Sequence, residues 1–148
     1  MRARYDGLAE WYDERFGVDA PPHQPGLLDL LGPGSGPCLD LGCGTGRNFE
    51  SIRASGRSVV GLDFSVDQLR RARMRTDGPL LHGDAAALPF ADASFDTAIT
   101  LWISTDVDDF GAADYLNAII ASGLTVEYFE EPTGPDIPHA LAVRARKR

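Results

Sequence analysis

Tyr5, Leu8, Ala9, Tyr12 and Phe16 recur at i, i+3, i+4, i+7 and i+11, the spacing that places apolar side chains on one face of a helix. Gly17 and Pro21-Pro22 end that pattern. A second short helix is expected from Pro25 to Leu31, carried by Leu27, Leu28, Leu30 and Leu31, and Gly32-Pro33-Gly34-Ser35-Gly36-Pro37 turns the chain out of it. From there short apolar runs alternate with amphipathic stretches. Strand Cys38–Leu41 precedes helix Arg47–Ala54, and strand Ser58–Leu62 precedes helix Val66–Arg75. Ser65 with Gln68 three residues later has the form of a capping box for the latter helix. Leu80–His82 reads as a short third strand and Phe95–Ile103 as a longer fourth. This alternation predicts a mostly parallel sheet with right-handed helical crossovers, a doubly wound α/β fold.

Beyond Ile103 the pattern is more compressed. Ala112–Ser122 reads as a helix with Tyr115, Leu116, Ile119 and Ile120 on one face and Gly123 as its stop. Leu124–Phe129 reads as a strand. Pro132-Thr133-Gly134-Pro135 then reverses the chain, so that Ala140–Val143 is expected to return antiparallel to it.

At 148 residues the chain is expected to be one domain able to bury a real core. A net charge of -8 argues against a nucleic-acid partner. There is no signal-like apolar stretch at Met1–Gly7 and no run long enough for a bilayer, so a cytoplasmic protein without a membrane partner is expected. Cys38 and Cys43 have no partner at metal spacing and read as reduced thiols.

Candidate chemistry concentrates at the ends of the predicted strands. Gly42-Cys43-Gly44-Thr45-Gly46 follows the first strand, and Asp40 stands just before it. A nicotinamide-binding turn has the spacing G-x-G-x-x-G, and here the third glycine comes one residue early, with Arg47 where that glycine would be. The glycines by themselves also suit an ordinary tight strand-to-helix turn. Asp40 is a poor neighbour for a phosphate and a good one for a cation. Asp63 closes the second strand, where a carboxylate can accept both hydroxyls of a ribose, and Phe64 beside it can offer an apolar face to a purine. At the end of the third strand Asp84 can accept an adenine amino group while the Ala85 amide donates to the ring. These positions converge on one crevice at the carboxyl ends of the strands.

Other polar clusters carry less. His23, His82 and His139 read as solvated or structurally satisfied. Asp106, Asp108 and Asp109 lack the remaining ligands of a calcium loop, and no metal is expected. Arg70, Arg71, Arg73 and Arg75 read as a solvated helix face, and Arg144-Ala145-Arg146-Lys147-Arg148 as a solvated tail.

Several runs together resemble the class I S-adenosylmethionine-dependent methyltransferases, in particular their small-molecule branch. They are Tyr5-Asp6-Gly7-Leu8-Ala9-Glu10-Trp11-Tyr12-Asp13, Leu39–Gly46, Val60-Gly61-Leu62-Asp63-Phe64-Ser65, Gly83-Asp84-Ala85, Leu88-Pro89-Phe90 and Ser94-Phe95-Asp96. The resemblance implies S-adenosylmethionine as cofactor and S-adenosylhomocysteine as its product. Gly42, Cys43, Gly44 and Gly46 would pack against the methionine portion, with Asp40 near the ammonium. Asp63 would hold the ribose, Asp84 and Ala85 the adenine, and Leu101 and Trp102 would lie beside the sulfonium. Tyr5 and Tyr12 would belong to a helical lid within residues 1–35, over a cofactor-binding core at 36–104. No catalytic residue is assigned, because transfer to a small-molecule acceptor can proceed mainly by positioning.

The family's sheet usually has seven strands, and residues 105–148 leave room for a shortened end. About 60–80 residues that would complete a typical α/β domain are not accounted for, and about six strands are expected. The expected order is third, second, first, fourth, last, fifth. The alternative places Leu124–Phe129 directly beside the fourth strand. Two functions follow, a methyltransferase acting on a small molecule or a cofactor-binding module that no longer transfers. An open sheet position would also leave apolar edges for a second subunit to cover, as in a homodimer.

Overall fold

The computed structural model describes residues 5–16, 27–101, 117, 119–121, 123–130 and 142–147. Its elements are α1 (Ala9–Phe16), α2 (Leu27–Leu31), β1 (Cys38–Leu41), α3 (Phe49–Ala54), β2 (Val59–Asp63), α4 (Val66–Ala72), β3 (Leu80–His82), β4 (Thr97–Leu101), β5 (Leu124–Glu130) and β6 (Ala142–Lys147). Among the described residues they form one six-stranded sheet in the order β3-β2-β1-β4-β6-β5. This is the first of the two expected orders. β1 pairs in parallel with β2 and β4, and β2 with β3, while β6 runs antiparallel to both β4 and β5.

Alternation along the strands sorts the core onto the two faces of the sheet. Cys38, Val59, Ile99 and Leu101 share one face with Leu31, Phe49, Ile52, Leu69 and Ala72 of the helices. Leu39, Leu41, Leu62 and Ala98 share the other with Ala85, Phe95, Ile119 and Leu124. All four residues of β1 and all five of β4 are buried. Each fully buried aliphatic or aromatic side chain of this kind contributes about 1.5–3 kcal/mol.

The sequence pattern misplaces several boundaries. The last strand begins at Ala142 and continues through the basic run to Lys147, so those residues are not a solvated tail. Insertion between β4 and β5 supplies backbone partners on both sides, and Ala145 is fully buried. Charge composition cannot register such a gain. Helix α4 ends at Ala72, leaving Arg73, Met74 and Arg75 in turns, and α3 starts at Phe49 because the loop continues through Asn48. β4 starts at Thr97, later than expected, and Trp102 and Ile103 at its expected far end lie outside the described residues. Phe95 precedes it and packs edge-on against Phe90 at 4.8 Å. Leu8 and Ile120 are exposed rather than core residues, although Ala9 and Ile119 beside them are buried. Gly123 closes its helix as expected, with φ 80° and its amide on the Ile120 carbonyl at 3.0 Å.

Candidate active site

The glycine loop is built by backbone geometry. Gly42, Gly44 and Gly46 have φ of 68°, 54° and 78°, values that side-chain-bearing residues rarely adopt. The amides of Gly42 and Cys43 both donate to the Leu62 carbonyl, at 2.8 and 3.1 Å, fastening the turn to β2. Gly46 then donates to Cys43 and Phe49 to Gly46, so the chain coils directly into α3.

Asp63 binds this loop from the next strand. Its Oδ2 accepts the Gly44 amide at 2.8 Å and its Oδ1 accepts the Ser65 amide at 2.8 Å. Burial pushes the carboxyl above its ordinary range, against the lowering effect of the Ser65 and Gly44 amides. A carboxylate offers about four lone-pair sites. Two amides therefore leave capacity for a diol.

Asp40 lies on the β1 face that carries Cys38, between Gly61 of β2 and Ile99 of β4. It is 1% exposed, and neither carboxylate oxygen makes a hydrogen bond. Burial raises its pKa to about 7; the nearby Asn48 amide lowers it in part without closing a hydrogen bond, and Asp63 raises it further. A buried carboxyl left this way lacks a partner that a cation or donor would supply.

The adenosine side has a different character. Phe64 is exposed and tilts against His82 with ring centroids 5.8 Å apart, while His82 Nε2 lies 2.9 Å from the Phe64 carbonyl oxygen. His82 thus orients Phe64, a role its strand position did not reveal. Asp84 is exposed, with Oδ1 accepting the Ala86 amide at 2.8 Å, and Ala85 is buried. Tyr5 and Tyr12 stack edge-to-face at 5.3 Å on the α1 side. Leu101 is buried at the end of β4. Trp102, His23, His139, Asp106, Asp108, Asp109, Tyr115 and Leu116 lie outside the described residues.

Two further features escaped the linear pattern, whereas the reduced cysteines were expected. The capping box is only half made: Ser65 Oγ accepts the Gln68 amide at 3.3 Å, but Asp63 has taken the Ser65 amide. Gln68 is consequently released toward Gly44, buried and with Oε1 unpartnered. Arg70 and Arg73 are exposed as expected, but Arg71 of α4 pairs with Glu10 and Arg75, just beyond the helix, pairs with Asp13. Both cysteines are buried and free, and burial first, then Asp40, raises Cys38 to about 12 and Cys43 well above its ordinary value. They are inert thiols rather than nucleophiles.

A cleft of about 590 Å³ opens at the opposite end of the sheet, before β2 and β3. Its arginines are committed to protein atoms, Arg53 to the Arg75 carbonyl and Arg73 to the carbonyls of Thr76 and Gly78. The strand-end crevice is therefore the candidate site.

The methyltransferase-domain family matches residues 39–114, half of the chain. The chain belongs to this family, of the class I S-adenosylmethionine-dependent type. A demethylmenaquinone methyltransferase of Mycobacterium sp. strain JLS is 39% identical over 106 residues, 70% of this chain and 45% of that protein. The chain thus spans about half the length of the curated relatives it matches. Among solved structures, a complex of the Haloferax volcanii Trm112 methyltransferase activator with a methyltransferase aligns with TM-score 0.62 and 20% identity, covering 99% of this chain and 98% of that one. A TehB-like S-adenosylmethionine-dependent methyltransferase of Corynebacterium glutamicum aligns with TM-score 0.59 and 17% identity, over 96% and 99% of the two chains. At these identities the two structures establish the fold. No described helix is long and apolar enough to cross a membrane.

Proposed function

We propose that this chain binds S-adenosylmethionine at the carboxyl ends of β1, β2 and β3 and transfers its methyl group to a small-molecule acceptor. The observation that carries the reading is the unpartnered carboxyl of Asp40 beneath a glycine loop that Asp63 holds open. The residues suit the cofactor. Its ammonium supplies the cation that Asp40 lacks, its ribose diol suits the free lone pairs of Asp63, and its adenine suits Phe64, Asp84 and Ala85. Gly42, Cys43, Gly44 and Gly46 let the backbone approach the methionine portion, Leu101 borders the sulfonium, and Tyr5 and Tyr12 cover it.

When bound, the cofactor supplies an activated methyl group for in-line displacement. The chain orients that group and excludes water, which can provide much of the acceleration. A general base is required only for an acceptor that must lose a proton. The name of the mycobacterial relative favours a small-molecule acceptor. Titration calorimetry with S-adenosylmethionine and S-adenosylhomocysteine tests binding, and absence of measurable heat from either overturns the proposal. Mass spectrometry of reactions with quinols, phenols and carboxylic acids then tests transfer.

A second reading, binding without transfer, is favoured by β6 lying directly beside β4, so that among the described residues the sheet has six strands where the family usually has seven. Tight cofactor binding with no methylated product across the screen would select it.

A further inference from the structure

Helix α1 is fastened to α4 and the glycine loop by polar groups that the cofactor reading does not use. At its start, Asp67 Oδ2 accepts the amides of Gly7 and Ala9 at 3.0 and 3.3 Å. One turn later Arg71 meets Glu10 at 2.9 Å, but the Glu10 side chain is 77% exposed, so this pair contributes little. The Asp13 pair is different. Arg75 Nη2 donates to Asp13 Oδ2 at 2.9 Å and Nη1 lies 2.8 Å from Oδ1, with both side chains largely buried. Nη1 also donates to the Thr45 carbonyl at 2.7 Å. The backbone of Arg75 is itself anchored, its amide on Ala72 and its carbonyl accepting from Arg53.

Thr45 lies between Gly44 and Gly46, and its carbonyl belongs to the peptide plane that carries the Gly46 amide. A guanidinium on that oxygen therefore limits how the most permissive part of the loop can rotate. The same fork needs Asp13 on α1 to hold its orientation. We infer that Arg75 is a positioning residue for the cofactor site, one that couples docking of α1 to the shape of the glycine loop. The inference rests on the loop being that site. Lysine cannot replace the fork, because a single ammonium on a flexible stem does not fix the two partners in one plane.

The test uses the full chain with Arg75→Lys, Asp13→Asn and, as control, Glu10→Gln. S-adenosylhomocysteine affinity is measured by calorimetry at low and high salt, and amide hydrogen exchange is followed without ligand for α1 and residues 42–46. Arg75→Lys and Asp13→Asn are each expected to weaken binding about tenfold, a change of about 1.4 kcal/mol. Both should raise exchange in α1 and the loop together, while Glu10→Gln changes neither. The loss in either variant should persist at high salt, because the pair is largely buried and little screened. Wild-type affinity in Arg75→Lys overturns the inference. So does faster exchange in α1 of Asp13→Asn with an unchanged loop, and this second variant decides the matter if Arg75→Lys does not fold. If the wild type binds no S-adenosylhomocysteine, the cofactor reading fails first, and the exchange pattern still reports whether α1 and the loop are coupled.

Discussion

The Gly44 amide donates to Asp63 Oδ2 at 2.8 Å, so the glycine loop and the acid 19 residues later are one mechanical unit. A ligand held by Asp63 is thereby positioned relative to the loop. Asp63→Ala leaves the Gly44 and Ser65 amides without their acceptor, at a cost of about 1–3 kcal/mol for each group that water does not reach. Asp63→Asn keeps one acceptor and should lose less stability. Both variants should lose cofactor binding. Urea denaturation and calorimetry on the two proteins separate these effects.

Asp40 predicts a pH dependence of the ligand-free protein. Its pKa is raised from 3.8 to about 7, so the unfolded chain ionises at this position at lower pH than the folded one. Stability from this group is fully present below about pH 4 and is lost as pH rises toward about 7, after which it levels off. At 1.36 kcal/mol per unit, the loss amounts to at most about 4 kcal/mol. Asp40→Asn should flatten this part of the profile and make the ligand-free protein relatively more stable at pH 8. It should also weaken cofactor binding there. Urea titrations at pH 5 and pH 8 check the sign.

Gly46→Ala is expected to destabilise the fold. A Cβ at this position would stand 2.6 Å from the Phe49 ring and would require φ of 78°. The left-handed conformation alone costs about 1–2 kcal/mol, and Phe49 is fully buried and cannot move aside freely. A fall in thermal midpoint of several degrees is expected, while an unchanged midpoint would contradict this account of the loop.

Phe64→Ala should have the opposite profile. The ring is 39% exposed, so its removal should change stability by about 0.5 kcal/mol or less. If it stacks on adenine, binding should weaken by about 1–3 kcal/mol. His82→Ala should show a smaller loss, since His82 only orients that ring. Calorimetry beside a thermal melt distinguishes the two profiles.

Much of the architecture was legible from short-range pattern. β1 and β3 fall on their expected residues, and the alternation left two strand orders, of which the structure has the one with the last strand beside β4. Asp40, the loop glycines, Asp63 and Asp84 could be singled out as candidates because backbone conformation and strand ends impose residue types locally. The left-handed φ values at Gly42, Gly44 and Gly46 are the direct reason for that spacing. Other features depend on partners far away in the chain. The basic run at 144–147 reads as a tail until β4 and β5 flank it, and Gln68 reads as a cap until Asp63 takes the Ser65 amide.

The sequence by itself therefore determined the loop, its acids and the alternation that builds the sheet, because each follows from local steric and periodic rules. Only the tertiary structure decided which polar groups would be left unsatisfied and which would be shared. Asp40 lost its solvent without gaining a hydrogen-bond partner, and Arg75 came to bridge Asp13 and Thr45 across 62 and 30 residues of chain. Burial and long-range pairing set those outcomes, and neither is encoded by neighbouring residues alone.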